Sequence, residues 1–197
     1  QYDLNIVQQR QTLSSITTKT ILGMDRVIEE SQPDLILVHG DTSTTFAGAL
    51  AAFYHQVKVG HVEAGLRTYD KYSPFPEEFN RQAVDLITRF YFAPTEVSRD
   101  NLLKESKPTE HIHVTGNTVI DALATTVRED YAHPEIEWAK GSRLVLLTAH
   151  RRENLGQPMR NMFRAIRRIL DEHPDVKAIY PIHMNPQVRQ AAREELG

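Results

Sequence analysis

The chain has 197 residues, 40% of them hydrophobic, which is enough for one large or two small domains with a buried core. Its 23 basic and 26 acidic residues are interleaved and give a formal charge of −3, so no basic stripe predicts binding to nucleic acid or an anionic membrane. The absence of cysteine excludes disulfides and thiolate chemistry, and no apolar run approaches the roughly 20 residues that span a bilayer. We therefore expect a cytoplasmic protein.

Helix-type and strand-type patterns alternate through the first two thirds of the chain. Apolar residues recur at helical intervals over 12–30, and a short continuous apolar run follows at 35–38, as expected for a strand buried on both faces. Further strands are predicted at 57–62, 89–93 and 111–114, and further helices at 44–55, 76–89, 95–106 and 117–128. Strands and helices that alternate at this spacing predict an α/β fold with a parallel, doubly wound sheet.

The periodicity fails between about residues 129 and 142, where we expect a surface connection. Residues 1–130 would then form most of a first Rossmann-like domain, 131–142 a linker, and 143–197 the start of a second Rossmann-like domain. The second domain is predicted to contain strands at 143–148 and 176–182, a helix at 158–172 and a helix from 186.

Two carboxylates follow neighbouring predicted strands. Asp41 comes after the strand at 35–38 in a loop that opens a helix, and Glu63 follows the strand at 57–62. Because ligands bind at the carboxyl ends of parallel strands, we expect both side chains in one crevice, where one could act as acid and the other as base. The alternative for Asp41 is that it only caps the following helix.

A second acidic group lies at the start of the helix at 76–89. Glu77 and Glu78 stand where the helix dipole favours carboxylates, so one of them could be purely stabilising. Arg81 lies one turn beyond Glu77, a spacing typical of a solvated ion pair. The functional alternative is that its guanidinium contacts a diphosphate.

The loop after the strand at 143–148 contains a histidine followed by two arginines. His150 and Arg151 could contact a phosphate-bearing ligand, and His183 is a weaker candidate after the strand at 176–182. A His-x-x-x-His spacing is missing, and Thr118 stands where a metallophosphatase would carry histidine after Gly-Asn, so no metal is predicted. Neither a Walker loop nor a Gly-x-Gly-x-x-Gly fingerprint is present, and we predict no cofactor.

Five motifs in order resemble the non-hydrolysing UDP-N-acetylglucosamine 2-epimerases of bacteria, especially those of Bacillus-type organisms. The resemblance covers nearly the whole chain. The motifs are His39-Gly40-Asp41-Thr42, Val62-Glu63-Ala64-Gly65-Leu66-Arg67-Thr68, Ser73-Pro74-Phe75-Pro76-Glu77-Glu78-x-Asn80-Arg81, Val114-Thr115-Gly116-Asn117-Thr118 and Thr148-Ala149-His150-Arg151-Arg152-Glu153-Asn154.

The resemblance implies a GT-B-like architecture of two Rossmann-like domains, both incomplete in this chain, and a homodimer. It also implies reversible conversion of UDP-N-acetylglucosamine (UDP-GlcNAc) to UDP-N-acetylmannosamine (UDP-ManNAc) for cell-surface polysaccharide precursors, through loss and return of UDP. Carried over by motif, the implied catalytic residues are Asp41, Glu63, Glu77 and His150, and the implied substrate-binding residues are Arg81, Asn117 and His150. An activating UDP-GlcNAc site would use Arg10, Glu77, Arg151 and His183.

Two segments of the family pattern are missing from the chain: a Gly-Thr-Arg-Pro-Glu loop and an Asp-Ser-Gly-Gly-x-x-Glu-Glu segment. We therefore expect an internal part of a longer protein that by itself binds UDP weakly and turns over little. Three alternatives stay open: a hydrolysing relative, a non-catalytic nucleotide-sugar-binding module and, less favoured, a GT-B glycosyltransferase. The last has no evident need for three carboxylates.

Overall fold

The computed structural model describes residues 1–8 and 11–197, and at Arg152 the backbone alone. It contains two compact units, residues 1–126 and 127–197. Each unit has a parallel sheet and packed helices, so the predicted α/β class with parallel sheets is confirmed. The division falls after residue 126, and the segment predicted as a linker contains a short helix, Pro134–Ala139.

In the described part of the first unit there are four strands and five α-helices. The strands are β1 (Leu35–His39), β2 (Lys58–Val62), β3 (Phe90–Ala93) and β4 (Ile112–Val114). The helices are α1 (Leu13–Ser31), α2 (Ser43–Tyr54), α3 (Glu77–Ile87), α4 (Glu96–Lys104) and α5 (Thr118–Thr126).

All four strands are parallel and pair in the order β1-β2-β3-β4. Sequential order is the arrangement found on one side of the point where a doubly wound sheet reverses, so the doubly wound arrangement stays a prediction. The register pairs His39 with Val62 and Val62 with Phe92. The carboxyl ends of these strands therefore meet at one edge.

The core of this unit covers one face of the sheet. Val38 and Val59 pack with Ala49, Ala52 and Val84 from α2 and α3. A second cluster combines residues of β3 and β4 and Ala64, which follows β2, with Leu102 of α4. Leu35 and Leu37, on the opposite face of β1, are exposed, because side chains alternate along a strand. The expectation that this strand is buried on both faces is thus wrong for the described residues.

The second unit is smaller. It contains α6 (Pro134–Ala139), β5 (Arg143–Leu146), α7 (Gln157–Glu172), β6 (Val176–Ile179) and α8 (Pro186–Leu196). Strands β5 and β6 are parallel neighbours. Met159 and Phe163 of α7 pack with Val188 and neighbouring alanines of α8, and Leu147 joins them from the segment after β5. This core supports the loops that follow the two strands.

Gly65 lies where the chain leaves β2 for the site, and its backbone has φ +84°. A Cβ at this position would lie 2.3 Å from the carbonyl oxygen of Ser98. We expect Gly65→Ala to lower the free energy of unfolding of the first unit by more than about 3 kcal/mol, because the backbone of α4 must move. Gly116 is a matched control, since its φ is +81° with nothing within 4 Å of a built Cβ.

The measurement is native-state hydrogen exchange of the slowest amides in β2 and β3. Gly116→Ala should cost only the left-handed backbone penalty, about 1–2 kcal/mol. Equal losses in the two variants would show that contact with Ser98 does not constrain Gly65.

Candidate functional site

The first group of predicted residues lies at the carboxyl ends of β1 and β2. The Gly40 N–H donates to the Val62 carbonyl (3.0 Å), which joins the two strand ends. A Cβ built at Gly40 would lie 3.3 Å from Oε2 of Glu63, so the Glu63 carboxylate lies beside the residue that precedes Asp41. The loops after β1 and β2 therefore lie side by side, and a shared ligand crevice for the two carboxylates stays a prediction.

Asp41 does not cap α2. The N-cap is Thr42, whose hydroxyl accepts from the Thr45 N–H (3.1 Å). The side chain of Asp41 instead accepts from the Arg81 Nη1 (3.1 Å), and its carbonyl accepts from the Asn80 side-chain amide (2.9 Å). With 27% of its side chain exposed, Asp41 is both held in place and open to a ligand.

Glu63 has a left-handed backbone, φ +72°. Such a conformation costs a non-glycine residue on the order of 1–3 kcal/mol and is concentrated at functional sites. The Glu63 N–H donates to the Phe92 carbonyl (3.0 Å), and the Asn117 amide donates to Glu63 Oε1 (3.3 Å). The Nε2 of His39 lies 3.9 Å from Oε2. The structure therefore places Asn117, a predicted substrate-binding residue, against Glu63.

The two adjacent glutamates of α3 have different environments. Glu78 is fully buried and accepts from the N–H groups of Thr68 (3.0 Å) and Tyr69 (2.9 Å) and from Nε of Arg81 (2.6 Å). Glu77 is half-buried, and within residues 1–8 and 11–197 its carboxylate has no hydrogen bond or ion pair. Glu78 is therefore the stabilising glutamate, and a ligand-binding role for the Glu77 carboxylate stays a prediction.

Arg81 is not part of a solvated ion pair with Glu77. Its side chain is 9% exposed and bonds to Glu78 and Asp41. The i,i+4 spacing favoured a pair of Glu77 with Arg81. Arg81 pairs with Glu78 instead, at i,i+3, because Glu78 is the glutamate directed into the protein. The expected contact of Arg81 with a phosphate stays a prediction, and the contact observed is with the Asp41 carboxylate.

A buried charged network beneath these loops was not predicted from the sequence. Nδ1 of His61 lies 2.6 Å from Oδ1 of Asp85, and both residues are fully buried. Arg67 bonds to the other oxygen of Asp85 (2.7 Å) and to Glu105 (2.7 Å). A signal for it exists in the sequence: His61 interrupts a run of small and apolar residues in β2, and buried polar groups need partners.

Stability of the first unit should fall in acid. Burial alone would raise the pKa of Glu78, but hydrogen bonds from Gln82, the Thr68 N–H, Arg81 and the Tyr69 N–H outweigh it and hold that pKa below 4.5. For Asp85, burial is likewise outweighed, by the hydrogen bond and charge of His61 and then by Arg67, so its pKa lies below 3.8.

A carboxyl whose pKa is lower in the folded state contributes stability above its unfolded pKa and loses it as pH falls through the folded pKa. We therefore expect the urea midpoint of the first unit to decrease below about pH 4.5. Amide exchange in β2 and β3 at a series of pH and urea values would measure this. Asp85→Asn should flatten the decrease, and an unchanged pH profile in that variant would contradict the assignment to Asp85.

The second group of predicted residues lies in the second unit, after β5 and β6. His150, Arg151 and His183 are exposed, and the rings of His150 and His183 stack with centroids 5.2 Å apart and planes at 15°. The Asn185 N–H donates to Nδ1 of His183 (3.0 Å), which orients that ring. The Tyr180 hydroxyl donates to the Ala149 carbonyl (2.6 Å) and so anchors the loop that carries His150.

Arg10, predicted for an activating ligand, lies outside the described residues. In the part of the chain that the structure describes, no three His, Asp or Glu side chains are grouped to hold a metal ion. Across the same residues, no helix combines the length and apolarity needed to cross a membrane.

Comparison with known proteins identifies relatives across the whole chain. The family model described as UDP-N-acetylglucosamine 2-epimerase matches residues 1–197. The chain is 59% identical over 196 residues to UDP-N-acetylglucosamine 2-epimerase of Bacillus subtilis (strain 168), covering 100% of this chain and 52% of that protein.

Solved structures agree with this similarity. The chain is similar to the UDP-GlcNAc 2-epimerase from Neisseria meningitidis bound to UDP-GlcNAc, with a TM-score of 0.91 and 44% identity over 99% of this chain and 55% of that one. It is also similar to S. aureus MnaA in a co-structure with UDP, with a TM-score of 0.91 and 53% identity over 95% of this chain and 51% of that one. The chain spans about half the length of the curated relatives it matches. These findings place the chain in the UDP-N-acetylglucosamine 2-epimerase family.

Proposed function

We propose that the protein containing this chain interconverts UDP-GlcNAc and UDP-ManNAc by inverting C2. Membership of the epimerase family supports the reaction, and a relative whose structure is described as bound to UDP-GlcNAc supports the substrate. The observation that carries the proposal is the pair of separately held carboxylates, Asp41 and Glu63, at the carboxyl ends of neighbouring parallel strands. Ligands of open parallel sheets bind at this edge.

The chemistry explains why more than one acid is needed. The C2 proton is not next to a carbonyl, so a carboxylate can remove it only as the C1–O bond to UDP breaks. The electrons of the C2–H bond then form a C1=C2 double bond, and those of the C1–O bond leave with UDP. In the return step, a carboxylic acid delivers a proton to the opposite face of C2 while the UDP oxygen attacks C1. No oxidant or cofactor is consumed.

In this proposal Asp41 and Glu63 transfer protons on opposite faces of C2. Each position has an arrangement suited to that task, because Arg81 and Asn80 hold Asp41, and Asn117 contacts Glu63. General acid and base groups held in this way typically contribute 10²–10⁴-fold each.

Glu77 is the third proposed catalytic carboxylate. It is half-buried, and no described residue pairs with its carboxylate. His150 would contact the departing diphosphate, since an imidazolium stabilises developing negative charge. Asn117 and Arg81 are proposed to bind substrate. For Arg81 this requires that the ligand replaces its present contact with the Asp41 carboxylate.

We further propose that UDP-GlcNAc activates the enzyme at a second site built from Arg10, Glu77, Arg151 and His183, and that the protein is a cytoplasmic homodimer. The stacking of His183 on His150 supports a ligand site that adjoins a catalytic histidine. Titration of UDP-GlcNAc with and without a His183→Ala substitution tests the activation, because the variant should lose the sigmoidal dependence of rate on UDP-GlcNAc.

The identity of the product tests the proposed function. UDP-GlcNAc is incubated with the full polypeptide of the source gene and, in parallel, with this chain, and proton NMR follows the anomeric signals. A mixture of UDP-GlcNAc and UDP-ManNAc is expected from the full polypeptide. Free N-acetylmannosamine with UDP would instead identify a hydrolysing enzyme. Binding of UDP-GlcNAc without any product would identify a nucleotide-sugar-binding module.

A further inference from the structure

Four ionisable side chains lie beneath the loops that carry Asp41 and Glu63. They are His61 on β2, Asp85 on α3, Arg67 after β2 and Glu105 after α4. The side chains of His61, Asp85 and Arg67 are each 0% exposed, and that of Glu105 is 29% exposed. A buried charge is costly unless it is paired, so the arrangement must be held together by its own contacts.

Both ring nitrogens of His61 face acceptors. Nε2 lies 2.8 Å from the Gly40 carbonyl oxygen, and Nδ1 lies 2.6 Å from the Asp85 carboxylate. The His61 ring therefore bridges the Gly40 carbonyl and the Asp85 carboxylate. Arg67 pairs with both Asp85 and Glu105. The Tyr91 hydroxyl, which donates to the Asp85 carbonyl (3.1 Å), stays protonated.

The network contacts the backbone on both sides of the site. Through His61 it holds the carbonyl of Gly40, the residue before Asp41. The second oxygen of Asp85 accepts from the Gly65 N–H (3.3 Å), two residues beyond Glu63, and from Arg67. One buried carboxylate therefore links the loops that follow β1 and β2.

We propose that His61 and Asp85 are positioning residues, which set the spacing between the Asp41 and Glu63 carboxylates through the Gly40 carbonyl and the Gly65 N–H. This inference rests on the proposed function, since it assigns the network to the same two carboxylates. Proton transfer requires groups held within a fraction of an ångström, and a displacement of about 1 Å can lower a rate about 100-fold. Glu63 adds to this need, because its left-handed backbone must be held by its surroundings.

Two substitutions at His61 separate positioning from stability. In His61→Asn the amide nitrogen replaces Nδ1, so the bond to Asp85 is kept and the bond to the Gly40 carbonyl is lost. In His61→Gln the amide nitrogen replaces Nε2, so the Gly40 bond is kept and Asp85 loses a donor. The matched control is His55→Gln, because His55 also bonds to a carboxylate, Asp25 (3.0 Å), but at the far end of α2.

The two variants should rank in opposite orders in two measurements made on the full polypeptide. We expect kcat to fall about 100-fold in His61→Asn and about 10-fold or less in His61→Gln, with KM for UDP-GlcNAc changed less than about threefold in both. The urea midpoint should instead be lower in His61→Gln, which leaves the buried charge of Asp85 less well paired. His55→Gln should keep the wild-type kcat.

If His61 has a purely structural role, the variant with the lower urea midpoint should also have the lower kcat. That result would overturn the proposal. Wild-type kcat in folded His61→Asn would overturn it as well. A measurement on the wild type needs no variant: a hydrogen-exchange NMR spectrum should show a protected Gly65 amide, because its N–H donates to the buried Asp85 carboxylate. A rapidly exchanging Gly65 amide would also overturn it. If the wild type makes no UDP-ManNAc, the proposed function fails instead, and the spectrum still reports on the network.

Discussion

Replacing Glu63 with glutamine is expected to lower the turnover of UDP-GlcNAc about 10³-fold while the protein stays folded. The substitution preserves the size of the side chain and an oxygen that can accept from the Asn117 amide, now 3.3 Å from the carboxylate. It removes the ability to take or deliver a proton, which is typically worth 10²–10⁴-fold. Initial rates of UDP-ManNAc formation by the full polypeptide measure the effect.

The matched control for this variant is Glu29→Gln. Glu29 is an exposed glutamate of α1, so the change removes the same charge from the same unit at a distance from the strand ends. It should leave turnover within about twofold of the wild type. Asp41→Asn should behave like Glu63→Gln. Near-normal turnover in folded Glu63→Gln would remove Glu63 from the catalytic set.

Replacing Glu78 with alanine is expected to lower the free energy of unfolding of the first unit by about 3–5 kcal/mol. The buried Arg81 would lose one of its two carboxylates, and the N–H groups of Thr68 and Tyr69 would lose their acceptor. Removing one member of a buried ion pair is costly because the remaining charge is not solvated. Hydrogen exchange of the slowest amides of β2 and β3 measures the loss.

The neighbouring Glu77→Ala is the control, because it changes the same residue type one position earlier. Its half-buried carboxylate is not bonded among the described residues, so the unfolding free energy should change by less than about 1 kcal/mol. Turnover should nevertheless fall about 10²-fold or more if Glu77 is catalytic. Equal destabilisation by the two substitutions would contradict the distinction drawn between these glutamates.

Much of the fold was predictable because the local patterns were strong. The apolar run of β1, the alanine-rich α2 and the helical periodicity of α7 each specify one element, and their alternation specifies a parallel sheet. The order of strands in the sheet, by contrast, does not follow from local patterns. It depends on which strands pair over long distances, and an apolar run such as that of β1 cannot show whether one or both faces are covered.

The site was predictable to the level of loops but not of contacts. The positions of Asp41 and Glu63 followed from the ends of two strands. The choice between Glu77 and Glu78 could not be made, because both stand in the first turn of α3 and only packing shows which is directed inward. The pairing of His61 with Asp85 joins residues 24 apart in the chain, and no spacing rule connects a strand residue with a helix residue at that distance.

The measurement that tests the account most directly is proton NMR of UDP-GlcNAc in deuterated water, with the wild-type full polypeptide and its Glu63→Gln variant. If one carboxylate removes the C2 proton and another group delivers a proton to the opposite face, UDP-ManNAc must carry deuterium at C2. We expect this product from the wild type and little from the variant. UDP-ManNAc that retains the original C2 proton, or no reaction by the folded wild type, would contradict the account.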